Sequence, residues 1–166
     1  MTVLEFTPAA IEVWYTVNDG VMGGVSSSRM RHEGENVGVF EGNLSLENNG
    51  GFASVRTEIA EGTLAGASAL ILTVRGDGKR YQLRLRMRLG FDGVAYGASF
   101  ETTAGQWSEV ELPLELFRPT FRGYGPRDAR PLDPARVRPV GLMLTDKQEG
   151  PFRLEVAGLE AVGGSR

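Results

Sequence analysis

Between Arg80 and Leu89 the chain alternates without a break: Tyr81, Leu83, Leu85, Met87 and Leu89 fall on one side, and Gln82, Arg84, Arg86 and Arg88 on the other. A period of two marks a strand with one face on a core, and the apolar side is the core side. The same pattern runs more weakly through Phe40, Leu44 and Leu46, and through Ala53, Val55, Thr57 and Ile59, predicting two more half-buried strands. Residues 69–74, ALILTV, are apolar throughout, lie between Gly66 and Gly76, and are too short for an independent helix, so they predict a central strand. Segments 95–103, 106–114, 140–145 and 151–162 add the remaining strands. Helical spacing shows only in residues 8–14, PAAIEVW, where Pro8 suits a helix start and Ile11 and Trp14 are three apart. Roughly nine short strands with turns between them predict an all-β fold, a β-sandwich or jelly roll. No repeat or linker divides the sequence, so residues 1–166 are expected to form a single β-sandwich domain.

Composition narrows what such a fold can do. A chain of 166 residues buries about two thirds of its unfolded surface, enough for one core without staples. There is no cysteine, which removes disulfides, thiolate metal sites and cysteine nucleophiles together. The 23 glycines are about twice the usual ~7% share and suit many turns. A net charge of -3 argues against a nucleic-acid partner. The N-terminus, MTVLEFTPAAIEVW, lacks a basic stretch followed by an apolar one, and no apolar run approaches ~18 residues. No signal peptide, no membrane insertion and a cytoplasmic location are therefore expected. The single histidine, His32, sits between Arg31 and Glu33 in what reads as a polar turn, so neither a His-rich metal site nor a Ser-His-Asp triad is expected. Arg75-Gly76-Asp77-Gly78 has the glycines of a turn rather than of a phosphate loop, and no cofactor is expected.

The stretch from Trp14 to Ser28, WYTVNDGVMGGVSSS, joins an aromatic start to an Asn18-Asp19-Gly20 turn signal and a Gly23-Gly24 pair. Trp14 with Asn18, Asp19, Val21, Met22, Gly23, Gly24 and Ser26 resembles the opening signature of the complex I intermediate-associated protein 30 family. Further matches follow in order: Gly50, Gly51, Phe52, Ser54 and Arg56, then Tyr96, Phe100, Trp107, Pro113, Phe117 and Gly123, then Gly141-Leu142, Asp146-Lys147-Gln148 and Gly150-Pro151-Phe152. The resemblance implies a galactose-binding-like jelly-roll sandwich and a role as a chaperone of complex assembly, respiratory complex I in the first place, without a defined catalytic activity. The family's eukaryotic members are mitochondrial; this chain opens almost directly on the domain, without an Arg- and Ser-rich presequence, so a bacterial-type form is expected. A calcium site held by oxygens alone, which galactose-binding-like folds allow, has no signature here.

Three groups are candidates for binding. Arg84, Arg86 and Arg88 project from one face of one strand, where they can clamp phosphate, carboxylate or an acidic surface. Glu109 and Glu111 alternate in a later strand and can pair with them; opposite charges across strands are the common solution, so a paired structural ladder is expected. Residues 118–139 form the second group: five of the eight prolines and six arginines against two aspartates, a local balance of +4, with Phe121, Arg122 and Tyr124 as anchors for a partner. In the third group Asn18, Asp19 and Met22 meet Asp146 and Lys147 at one end of the sandwich, with Arg56 near enough to stabilise charge. Asx turns and loop ion pairs explain these residues more simply, so catalysis is not expected. Trp14 and Trp107 are read as core or edge packing in preference to a sugar platform. The expected function is a non-catalytic binding and assembly factor with a protein partner; the alternative is a module for a carbohydrate or small anionic metabolite, and an enzyme using the Asp, Lys and Arg pocket comes third.

Overall fold

The computed structural model describes residues 2–17, 26–34, 36–47, 51–87, 94–120 and 131–163. Two antiparallel sheets face each other. Sheet A contains β1 (Thr2–Leu4), β3 (Ser27–Glu33), β4 (Val37–Leu44), β6 (Ala67–Arg75), β9 (Trp107–Pro113) and β12 (Gly150–Gly163), in the order β3-β4-β12-β6-β9 with β1 also against β12. Sheet B contains β2 (Tyr15–Thr16), β5 (Ala53–Glu58), β7 (Arg80–Leu85), β8 (Ala95–Glu101), β10 (Arg118–Thr120) and β11 (Pro139–Leu144), in the order β10-β8-β7-β11-β5-β2. Most neighbours in the sheets are far apart in sequence, as in a jelly roll.

The core is made by the apolar side of each alternating strand. Tyr81, Leu83 and Leu85 of β7 are buried, as are Val140, Leu142 and Leu144 of β11; they face Phe40, Leu70, Leu72, Phe152 and Leu154 of sheet A. Phe40 and Phe152 meet edge to face at 4.9 Å, and Tyr81 joins them from the other sheet at 6.2 Å from Phe40. Such pairs add to the stability that burial of their area already gives. The phenol of Tyr81 is satisfied by Asp77, whose carboxylate accepts from it at 3.0 Å and also accepts the backbone N–H of Arg153 at 2.8 Å and of Lys79 at 3.1 Å. Burial, reinforced by Asp77, raises the Tyr81 pKa well above the ordinary tyrosine value.

Residues Pro8–Glu12 form the one α-helix among the described residues, α1; Pro8 stands in its first turn and the Thr7 hydroxyl caps it by accepting from Ala10 N–H at 3.2 Å. The strand expected to be central, β6, is interior, between β12 and β9, while β12 holds the central place. Other expectations are corrected. β7 ends at Leu85 rather than Leu89, and β4 ends at Leu44, leaving Leu46 exposed beyond it. His32 belongs to β3, opposite Gly38, and not to a turn. Among the described residues there are twelve strands, because β1, β2, β3 and β10 are too short or too polar to show a period of two.

Candidate functional site

Antiparallel partners that stand directly opposite share a face. Across sheet B this rule lines up one row: Tyr15 opposite Arg56, Arg56 opposite Gly141, Gly141 opposite Arg84, Arg84 opposite Gly97, and Gly97 opposite Arg118. Residues that flank the row along β5, β7 and β11 (Val55, Leu83, Leu85, Val140 and Leu142) are buried in the core, so the row lies on the outer face.

The glycines give the row its shape. A Cβ on Gly141 would stand 2.8 Å from the Val55 carbonyl oxygen and 3.2 Å from Cγ of Arg56; one on Gly97 would stand 3.2 Å from Oε1 of Gln82 and 3.7 Å from Cγ of Arg84. Glycine in a strand interior is the device for a close approach of this kind, and here it lets the arginine stems lie across the sheet. Arg84 does so: Nη2 donates to the Thr120 hydroxyl, two strands away, and Nη1 to the Met143 sulfur at 2.8 Å, a weak acceptor. Its Nε is buried without a hydrogen-bond partner among the described residues. Burial, with repulsion from Arg56 behind it, lowers the Arg84 pKa to about 10. A crevice of about 10 Å³, room for one water, opens beside Arg84 between Arg56, Arg86 and Gly141.

The expected pairing of these arginines with Glu109 and Glu111 is corrected. Both glutamates stand on β9, the exposed edge of sheet A, opposite Thr73 and Ile71. The charge ladder exists, but on the outer face of sheet A. Glu41 takes Arg31 at 2.8 Å and Arg153 at 3.3 Å, Glu155 takes Arg153 at 2.9 Å and Arg75 at 2.6 Å, and Arg29 also binds Glu41. The hydrogen bond from Arg31, then that from Arg29, holds the Glu41 carboxyl below the usual carboxylate range against the opposing effect of burial. The guanidinium of Arg75 in turn covers the half-exposed ring of Trp107 at 5.2 Å. Trp14, by contrast, stacks on Phe6 at 5.9 Å.

Of the other expected site residues, Asp146 and Lys147 form a tight turn with positive φ of 63° and 57°. Asp146 pairs with Arg80 at 3.1 Å, and Gln148 accepts Arg80 N–H at 2.9 Å while its amide donates to the Arg80 carbonyl at 2.7 Å. This turn fastens the start of β7. Arg56 is not part of it, standing opposite Gly141, five residues or roughly 16 Å of strand away. Arg86 continues past β7, its backbone exchanging bonds of 3.1 Å with Pro139 and Arg138. Asn18, Asp19, Met22, Arg88, Phe121, Arg122 and Tyr124 lie outside the described residues. No group of histidine and carboxylate side chains able to hold a metal ion occurs among the described residues. Sequence reasoning missed Thr120 as a partner of Arg84, and Arg118 and Tyr15 as members of its row; the signal that could have found them was the pair of mid-strand glycines, Gly97 and Gly141.

Comparison with known proteins gives a family and a fold. The family model described as Complex I intermediate-associated protein 30 matches residues 4–156. The chain is 25% identical over 166 residues to the mitochondrial complex I intermediate-associated protein 30 of Mus musculus, covering 88% of this chain and 51% of that protein. It is 26% identical over 152 residues to the probable counterpart of Caenorhabditis elegans, covering 80% and 45%. The chain thus spans about half the length of these relatives. Both are named mitochondrial, so the cytoplasmic location expected from the sequence finds no support among them; no helix among the described residues is long and apolar enough to cross a membrane. Among solved structures, the family 11 carbohydrate-binding module of the cellulosomal cellulase Lic26A-Cel5E of Clostridium thermocellum is similar with a TM-score of 0.74 at 14% identity, covering 98% of this chain and 94% of that one. The same module type in complex with a mixed-linked tetrasaccharide gives 0.71 at 15% identity, covering 98% and 95%. At such identities the likeness concerns the fold, a jelly-roll sandwich.

Proposed function

The chain belongs to the complex I intermediate-associated protein 30 family, and on that premise we propose that it is a non-catalytic assembly factor, a single domain that holds a protein partner while a larger complex is built. Respiratory complex I, NADH:ubiquinone oxidoreductase, is the complex that the family's name indicates. The observation that carries the binding part of this reading is the arginine row on sheet B. Arg56, Arg84 and Arg118 have no carboxylate partner among the described residues, whereas Arg29, Arg31, Arg75 and Arg153 on sheet A all do. Arg84 is the member whose guanidinium is kept partly desolvated without a counter-charge; that costs stability, and a carboxylate supplied by a partner offsets the cost.

The test is genetic and biochemical. Deleting the gene in its host and resolving respiratory complexes by native electrophoresis should show partial complex I assemblies and lowered NADH:ubiquinone oxidoreductase activity, restored by the intact gene. Fully assembled, fully active complex I in the deletion strain would overturn the reading.

A second reading is favoured by the same arginines, which have no carboxylate partner among the described residues: a module for a carbohydrate or an anionic metabolite on the same face. A ligand at about 100 times its dissociation constant adds about 2.7 kcal/mol. A melting-temperature rise with a sugar or a phosphorylated or carboxylated metabolite, abolished by Arg84→Gln, would favour this module over the assembly factor.

A further inference from the structure

The geometry of the row points to the chemistry of its partner, and we propose that the outer face of sheet B takes an extended acidic segment of a protein, wound as a polyproline II helix with a carboxylate at every third residue, one for each of Arg56, Arg84 and Arg118. The inference rests on the reading that this face holds a protein partner. Arg56 stands on β5, Arg84 on β7 and Arg118 on β10, each separated from the next by one intervening strand, β11 or β8. Strands lie about 4.8 Å apart, so the three positions recur about every 9.6 Å across the sheet. A polyproline II helix rises 3.1 Å per residue with three residues per turn, which returns a side chain to the same face about every 9.3 Å. An extended β-strand returns one about every 6.8 Å and falls out of step with the second arginine.

The other features of the face agree with such an occupant. In the intervening strands the row carries glycine, Gly141 and Gly97, so the stems of Arg56 and Arg84 lie low over them and the intervening strands add no side chain of their own to keep a peptide backbone away. Arg84, the middle member, has only a thioether and a hydroxyl as acceptors for its two terminal nitrogens, and a carboxylate is the stronger acceptor for them. Tyr15 stands beyond Arg56 at the end of the row and is 43% exposed, an aromatic face of the kind on which proline rings dock. The described residues of the row include no acidic side chain.

The test uses the purified protein and three fluorescent proline-rich peptides: one with glutamates at every third position, one with the same glutamates at every second position, and one with glutamines at every third position. Fluorescence anisotropy should show binding of the first, at least about tenfold weaker binding of the other two, and weakening of the first with salt. Arg84→Gln should weaken binding of the first peptide about tenfold, and Arg29→Gln on sheet A should leave it unchanged. Should Arg84→Gln fail to fold, the double variant Arg56→Gln/Arg118→Gln, whose side chains have no partner to lose among the described residues, decides instead. Equal binding of both acidic peptides, binding indifferent to the arginine substitutions, or competition by millimolar inorganic phosphate or free sugar alone would overturn the proposal. No peptide binding alongside a complex I defect in the deletion strain would overturn this inference and leave the assembly reading standing. Normal complex I in that strain would overturn the assembly reading itself.

Discussion

Replacing Arg84 with methionine is expected to make the free protein more stable. The side chain keeps its length and its apolar stem, and loses a guanidinium that is half-buried, has no carboxylate partner among the described residues and leaves Nε unsatisfied. Burial, and then the neighbouring Arg56, lower the group's pKa from its ordinary value to about 10, which at about 1.36 kcal/mol per pH unit is a cost on the order of 3 kcal/mol. The Thr120 hydroxyl and residual solvent return part of it, so the gain expected from Arg84→Met is about 1–2 kcal/mol, or roughly 2–8 °C in melting temperature at this size. The pH dependence has a definite sign. Because the folded-state pKa is lowered, the unfolded chain holds the Arg84 proton to higher pH, and wild-type stability rises as pH climbs from about 10 toward the ordinary arginine value. The advantage of Arg84→Met therefore shrinks over that window. Urea denaturation of both proteins at pH 7 and again above pH 10 measures it, common titrations cancelling in the difference. A variant less stable than wild type by 1 kcal/mol or more would refute the reasoning and make Arg84 a structural residue.

Asp77→Ala should cost about 2–4 kcal/mol, since it strands the buried Tyr81 hydroxyl and the Arg153 N–H together; a double-mutant cycle with Tyr81→Phe should show that the two losses are not additive. Gly141→Ala should cost about 1–3 kcal/mol in urea denaturation, because its Cβ would meet the Val55 carbonyl oxygen at 2.8 Å and backbone cannot yield cheaply. Glu41→Gln should cost about 1 kcal/mol at pH 7 through lost pairs with Arg31, Arg29 and Arg153. The Glu41 pKa is lowered in the folded state, so this contribution is present above the ordinary carboxylate range and is lost as pH falls through the lowered value. Denaturation midpoints of the two proteins should converge in acid, and a difference that persists there would count against the ion pairs.

The sequence showed which side of a strand meets the core better than which strand lies beside it. Tyr81, Leu83 and Leu85 alternate with polar residues because sheet B is wet on one face, and that contrast is visible in any single strand. The pairing of Arg84 with Glu109 and Glu111 failed because alternation carries no information about partners: β9 pairs with β6 in the other sheet. β3 went unseen because its sequence, SSRMRHE, is polar nearly throughout, its arginines being held by Glu41. The arginine row could not be read from any one segment, since its members come from strands scattered along the chain. Gly97 and Gly141 were the clue, for glycine within an otherwise apolar strand signals something passing close over the backbone.

The two outer faces use the same cation in opposite ways. On sheet A each of Arg29, Arg31, Arg75 and Arg153 meets a glutamate on its own or a nearby strand, so the charges are satisfied within the fold and the face adds to stability. On sheet B the strands opposite Arg56, Arg84 and Arg118 carry glycine where sheet A carries glutamate. A fold that needed those arginines only for itself would be improved by one carboxylate in the row, or by methionine at Arg84. Stability forgone at Arg84, with no compensating carboxylate among the described residues, fits a group supplied by a partner. Stability and partner binding should therefore move in opposite directions for substitutions on sheet B, and stability alone should move for substitutions on sheet A.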